Sequence, residues 1–79
     1  MATRRQKENV LAVYTSEAEA IRHAVMLARE LGRAVGILYR LIDGAEVYQI
    51  VNRGYEADGW QRCGVADPST GYHAPSEAS

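Results

Sequence analysis

The sequence has few of the residues that mark the specialised classes of small protein. Cys63 is its only cysteine, Lys7 its only lysine and Trp60 its only tryptophan, and both of its prolines come after residue 66. A single cysteine excludes an intramolecular disulfide and is typical of a reducing compartment. No apolar run approaches the ~18 residues of a membrane span, and the N-terminus lacks the apolar stretch of a signal peptide. We therefore expect a cytoplasmic protein.

The charge of the chain is balanced. The 79 residues, enough for one small domain, carry a formal net charge of -1. Proteins that bind nucleic acid or anionic membranes by bulk attraction carry an excess of positive charge, so the balance argues against both. Residues 1–8 are polar and include three basic side chains. We interpret them as a flexible arm, with a phosphate-contacting segment as the alternative.

The clearest secondary-structure signal is a helix between Ser16 and Gly32. Ser16 can cap the first free N–H groups, Glu19 can reach back to that cap, and Gly32 provides the left-handed residue that ends a helix. Apolar residues recur on one side at helical spacing, so that side must be covered. These residues are Ile21, Ala24, Val25, Ala28 and Leu31.

Runs typical of β-strands flank this helix. Residues 9–15 form a short apolar run that predicts a strand lying centrally in a sheet or buried on both sides. After the helix, two further runs are separated by Asp43 and Gly44, a pair typical of the two-residue type I′ hairpin. That loop places Ile42 opposite Ala45, and both faces of the resulting hairpin are largely apolar.

These elements predict an α+β fold, a βαββ domain with one helix on one face of a mainly antiparallel sheet. A fourth, short edge strand is expected within residues 59–65, although its glycines weaken the signal. We place the domain at 9–65, after the flexible arm. Residues 66–79 contain the prolines and almost no aliphatic side chain, and we interpret them as a disordered tail.

One helix can cover only one face of such a sheet. The other face of the hairpin bears four aliphatic residues, which are Leu38, Ile42, Val47 and Val51. Leaving them in water would forgo about 1.5–3 kcal/mol for each side chain that could be fully buried. We expect a homodimer, the commonest symmetric solution, or else a partner protein, to cover this face. The expected partners of the chain are therefore a second copy of itself and an unidentified protein. The alternative is that the C-terminal segment containing Trp60 and Val65 folds back over this face.

No catalytic, cofactor or metal motif is visible. His23 is expected to be solvated on the helix surface, and Cys63 has neither a neighbouring cysteine nor a partner histidine at a recognised spacing. The carboxylates are scattered, and the glycines do not match a phosphate-binding loop. We therefore expect no enzymatic activity, no cofactor and no metal.

Two further residues and one cluster are candidates for binding. Met26 projects from the polar side of the helix and Trp60 lies in a loop or edge region, and both residue types are enriched at protein interfaces. Each also has a purely structural explanation, as a partly covered side chain or a residue closing the core. As the rival hypothesis, the hairpin tyrosines Tyr39 and Tyr48 would stack single-stranded bases with the help of nearby arginines. A second small basic and aromatic cluster of this kind would consist of Arg53, Tyr55 and Arg62.

The segment TSEAEAIRHAVMLARELG, followed by an apolar strand and the Asp-Gly turn, is similar to small bacterial domains in which a strand leads into a helix of pattern EAxxxA. In size and in its lack of catalytic motifs, the chain also resembles the stand-alone inhibitors carried by phages and mobile elements, such as anti-CRISPR proteins. That resemblance implies a non-enzymatic protein–protein interaction module that inhibits or regulates a bacterial complex. A small nucleic-acid-binding module is the alternative.

Overall fold

Five strands and one helix make up the part of the chain, residues 9–75, that the computed structural model describes. In chain order they are β1 (Val10–Tyr14), α1 (Glu17–Leu31), β2 (Val35–Ile42), β3 (Ala45–Asn52), β4 (Gln61–Asp67) and β5 (Gly71–His73). The strands form one sheet in the order β1-β3-β2-β4-β5, in which every neighbouring pair is antiparallel. The helix packs on one face, so the predicted α+β fold is confirmed.

Helix α1 begins and ends where the sequence predicts. Ser16 has an extended backbone, and its Oγ accepts a hydrogen bond from the N–H of Glu19 at 3.4 Å. Gly32 adopts the left-handed conformation with φ 70° and donates its N–H to the carbonyl of Ala28. The fully buried residues of the helix are all alanines, whose short side chains allow its backbone to approach the sheet closely; they are Ala20, Ala24 and Ala28.

The hairpin has the predicted turn and register. Asp43 and Gly44 both have positive φ, 52° and 80°, as a type I′ turn requires. Ile42 pairs with Ala45, as predicted, and the pairing continues along both strands to Val35. The face of the sheet that contacts α1, here called the helix face, carries the main core. Its buried sheet residues are Val35, Ile37, Tyr48, Ile50 and Ala66.

Strand β1 lies at the edge of the sheet, so the prediction of a central strand is wrong. The apolar run that suggested it has another cause. Pairing with β3 shifts between Val10 and Ala12, which leaves Leu11 as an extra residue in a bulge. Leu11 and Ala12 therefore both pack against the core on the helix face, although they are consecutive.

Residues 66–75 are part of the domain, and the prediction of a disordered tail from residue 66 is wrong for them. Ala66 is fully buried, and β5 pairs with β4, which is consequently not an edge strand. The Tyr72 hydroxyl donates a hydrogen bond to the carbonyl of Cys63 at 2.7 Å, and the Tyr72 ring lies against Gly64. One aromatic side chain thus supplies the packing that the composition did not suggest. Residues 76–79 and the predicted arm at 1–8 lie outside the described residues.

Residues 53–60, here called the crossing segment, connect two strands that lie on either side of β2. Because β3 and β4 are each antiparallel to β2, they run parallel to each other, and the connection has to cross β2 on one face. Helix α1 occupies the helix face. A β-carbon on Gly59 would lie 3.5 Å from the guanidinium carbon of Arg40, which belongs to the opposite, second face. The crossing segment therefore covers the second face.

This cover changes the status of two residues that were predicted to need a partner. Leu38 is 3 % exposed and Val51 is 1 % exposed, although both lie on the second face. The prediction that they contact another molecule is therefore wrong, because the chain buries them itself. The alternative considered for this face was that the C-terminal segment containing Trp60 and Val65 folds back over it. Trp60 ends the crossing segment, but Val65 lies within β4 and pairs with Gly36 of β2, so that alternative is wrong for Val65.

Candidate protein-interaction surface

The β2–β3 hairpin extends beyond the strands that flank it. Pairing of β1 with β3 ends at Tyr14 and Tyr48, and pairing of β4 with β2 starts at Gln61 and Tyr39. Beyond that level, among the strands that the structure describes, β2 and β3 pair only with each other, through Arg40–Val47, Leu41–Glu46 and Ile42–Ala45. Residues 40–47 therefore form a two-stranded arm that projects roughly 10 Å from the sheet at the usual rise of a strand.

Apolar side chains are exposed on both faces of this arm. Leu41 is 56 % exposed and Ile42 is 42 % exposed, and consecutive residues of a strand point to opposite faces. Val47, on the same face as Ile42, is half-buried. The arm also carries the exposed side chains of Arg40, Asp43 and Glu46. One positive and two negative charges give the arm a net charge of -1.

Two tyrosines hold the base of the arm to the sheet. The rings of Tyr39 and Tyr48 lie opposite each other on the helix face, with centroids 5.2 Å apart. The Tyr48 hydroxyl donates a hydrogen bond to Oε1 of Glu46 at 2.9 Å. Burial, reinforced by the Glu46 carboxylate, raises the pKa of Tyr48 far above its ordinary value, so the phenol remains a donor at all physiological pH. The buried Tyr48 thus connects Glu46 of the arm to the core through this hydrogen bond.

A recess lies beside the arm where β4 begins. It has a volume of about 260 Å³ and is lined by Tyr39, Arg40, Leu41, Gly59 and Gln61. The recess lies between the exposed Leu41 of the arm and Gly59 of the crossing segment, and Arg40 also lines it. It therefore gives the arm a concave side in addition to its projecting end.

A second, smaller cleft of about 130 Å³ opens at the start of α1, lined by Glu17, Tyr39, Tyr48, Arg62 and Cys63. The Cys63 thiol donates to Oε2 of Glu17 across 3.7 Å. Burial raises the pKa of the thiol, and the contact with Tyr72 lowers it in part. The negative charge of Glu17 raises the pKa further. Since the thiolate is the nucleophilic form, this environment lowers the fraction of the reactive form.

The structure separates the remaining predicted interaction residues. Met26 is 52 % exposed on α1, whereas Ile42 and Val47 belong to the opposite side of the sheet. Trp60 is half-buried at the end of the crossing segment, where its N–H donates to the carbonyl of Ala57. These four residues therefore do not form a single surface. Ile42 and Val47 are the ones that the arm brings together.

The proposed basic and aromatic cluster is also divided. Arg62 lines the cleft at the start of α1, beside Glu17 and Cys63. Arg53 and Tyr55 follow Asn52, the last residue of β3, which pairs with Val35 of β2. Arg62 pairs with Leu38, three residues further along β2. Arg53 is exposed and Tyr55 is half-buried.

Two contacts near β1 were missed in the sequence. The Tyr14 hydroxyl lies 2.7 Å from Nδ1 of His23, and the two rings make an edge-to-face contact with centroids 4.8 Å apart. His23 is half-buried, so the prediction of a solvated histidine is wrong. Val13 is 55 % exposed at the sheet edge, where the apolar run suggested a buried residue. After the bulge, consecutive residues of β1 point to opposite faces of the sheet. This alternation could have indicated from the sequence that Tyr14 faces the helix and that Val13 faces away from it.

Within residues 9–75, no three histidine, cysteine or acidic side chains lie close enough together to hold a metal ion. The one helix in this part of the chain is too short and too polar to cross a membrane. No protein-family model, curated protein or solved structure matches the chain.

Proposed function

We propose that this protein is a non-enzymatic interaction module that binds another protein through the arm of residues 40–47. We further propose that this binding inhibits or regulates a larger complex in the bacterial cytoplasm. The observation that carries the proposal is the exposure of Leu41 and Ile42 on a ribbon that no other strand of residues 9–75 flanks. The free thiol of Cys63 is compatible with the reducing compartment.

The arm has the energetic properties of a binding element. Full burial of a leucine or isoleucine stabilises a complex by about 1.5–3 kcal/mol, and roughly half of that remains available on side chains that are half exposed. The hydrogen bond between Tyr48 and Glu46 restricts the base of the arm before binding. A restricted element loses less conformational entropy on association, which improves affinity for a given contact area.

The charge of the arm favours a protein partner over nucleic acid. A two-stranded ribbon fits the DNA major groove, so its shape alone does not separate the two hypotheses. Binding in that groove, however, relies on basic side chains that neutralise phosphates. The arm has one arginine against two carboxylates, and beside these charges it exposes the aliphatic side chains of Leu41 and Ile42. A partner with an apolar pocket and a basic rim fits this arrangement better.

The proposal is tested by using the 79-residue chain to capture proteins from a bacterial lysate and by repeating the capture with variants of the arm. We compare the wild type with the double variant Leu41→Asp, Ile42→Asp and with Met26→Asp as a control of similar exposure on the other side of the molecule. We expect mass spectrometry to find a protein that the wild type and the Met26 variant retain and the arm variant loses.

Two results would contradict the proposal. One is a set of captured proteins that does not change when the arm is varied, with all three chains folded by circular dichroism. The other is nucleic acid that copurifies with the wild type, is visible in its ultraviolet absorbance ratio and elutes in a salt-dependent manner. The second result would support the nucleic-acid alternative.

A further inference from the structure

The two edges of the sheet differ in their capacity to accept another strand. Strand β5 has three residues, of which Gly71 is a weak strand former and His73 is polar. Strand β1 has five, with the sequence VLAVY, and contains neither a charged residue nor a proline. Charged side chains and proline are two of the features with which proteins block edge pairing, and bulges are another. Within residues 9–75, no strand pairs with the outer side of β1.

The bulge in β1 limits where a second strand could pair. Bulges disturb the edge locally, and this one affects Leu11. Residues Ala12, Val13 and Tyr14 lie in unbroken register with β3. The regular part of the edge is therefore centred on Val13.

We propose that the outer edge of β1 pairs in antiparallel fashion with β1 of a second copy of this chain, about a two-fold axis at Val13. An antiparallel pair of identical strands is self-complementary, as a two-fold interface requires. In this register Val13 of each copy lies opposite Val13 of the other. The small Ala12 lies opposite the large Tyr14 of the second copy, on the helix face.

The side chains near the axis fit this arrangement. Val13 is 55 % exposed and lies on the second face. It pairs with Gln49 of β3, and Val47 is the next residue of β3 on that same face. Pairing brings two exposed valines together and extends the apolar stripe of Val13, Val47 and Ile42 into the second copy. Like charges placed opposite each other would oppose pairing. β1 has no charged side chain, so the pairing brings no like charges together.

This inference does not depend on the proposed function, because it concerns the edge of β1 rather than the arm. Sedimentation equilibrium of the full chain tests it. We expect the wild type to approach twice the 8.7 kDa mass of one chain as its concentration rises. Val13→Lys and Val13→Glu should each remain at the mass of one chain, because like charges then meet at the axis.

A mixture of the two variants provides the most specific test. Lysine in one copy would lie opposite glutamate in the other, so equal amounts of Val13→Lys and Val13→Glu should regain the dimer. Leu41→Lys is the matched control, since Leu41 is as exposed as Val13 but lies on the arm. This control should dimerise as the wild type does.

Several outcomes would overturn the proposal. They are a wild type that stays monomeric at all concentrations, a folded Val13→Lys that still dimerises, a mixture that stays monomeric, and a Leu41→Lys that dissociates. If a Val13 variant fails to fold, hydrogen exchange of the wild type replaces it. Amide protection in β1, but not in β5, should then increase with protein concentration, and unchanged protection of β1 would refute the interface.

Discussion

Replacing Gly64 with alanine should detach β5 from the domain. A β-carbon at this position would lie 2.4 Å from Cε1 of Tyr72 and 2.6 Å from the carbonyl oxygen of His73. Both distances are well below van der Waals contact. The second atom belongs to the backbone and cannot move without shifting the strand. Gly64 also has φ 155°, a conformation that residues with a side chain adopt at a cost.

The expected magnitude follows from these two effects. Overpacking of a closely packed site costs about 1–3 kcal/mol, and an unfavourable backbone conformation adds about 1 kcal/mol or more. A total of about 2–4 kcal/mol would lower the melting temperature of a domain this small by roughly 10–25 °C. Detachment of β5 relieves the overlap but loses the hydrogen bond from the Tyr72 hydroxyl to the carbonyl of Cys63, so the decrease in stability should be comparable.

Gly71→Ala provides the matched control for this prediction. Gly71 also has a positive φ, 86°, but nothing lies within 4 Å of its β-carbon position. Thermal unfolding followed by circular dichroism should therefore show a much smaller decrease for Gly71→Ala than for Gly64→Ala. Equal decreases would mean that the Tyr72 ring does not pack on Gly64 and that the account of an ordered β5 is incorrect.

Three further predictions test the second face, the turn and the thiol. Leu38→Ala should cost about 2–5 kcal/mol in urea unfolding because Leu38 is buried, whereas Leu41→Ala should cost little; similar losses would refute the cover over the second face. Gly44→Val should cost roughly 1–3 kcal/mol through strain at a positive φ, and an unchanged stability would contradict the type I′ turn. Burial and Glu17 raise the pKa of the Cys63 thiol, so its alkylation at neutral pH should be slower in the folded than in the urea-unfolded protein. Alkylation of folded Glu17→Gln should be faster than that of the folded wild type. The reverse order would show that the thiol is activated.

The parts of the fold that depend on local signals were predictable. The cap at Ser16, the end of the helix at Gly32 and the turn at Asp43 and Gly44 each depend on a few adjacent residues with known backbone preferences. The register of the hairpin follows from its turn. These features together predicted the α+β class correctly.

The errors concern features that depend on distant contacts. The order of the strands determines that β1 is an edge and that the crossing segment must pass over β2, and no local pattern encodes that order. The ordering of β5 depends on the contact between Tyr72 and Gly64, eight residues apart in a segment of disordered composition. The projecting arm was also not predictable, because the hairpin encodes its own length but not the lengths of its neighbours.

The cover over Leu38 and Val51 separates folding from association. An uncovered second face would have made a partner necessary for stability, since the buried area of a single-faced domain of this size is marginal. With both residues buried inside the chain, Met26 and Leu31 stay exposed on α1, and the exposed apolar side chains to which we assign binding are Val13 at the edge and Leu41 and Ile42 on the arm. None of these belongs to the core clusters, so their replacement should change binding without changing the stability of the monomer. A folded, monomeric Val13→Lys with the melting temperature of the wild-type monomer would demonstrate this separation, and an unfolded one would show that the domain requires its second copy.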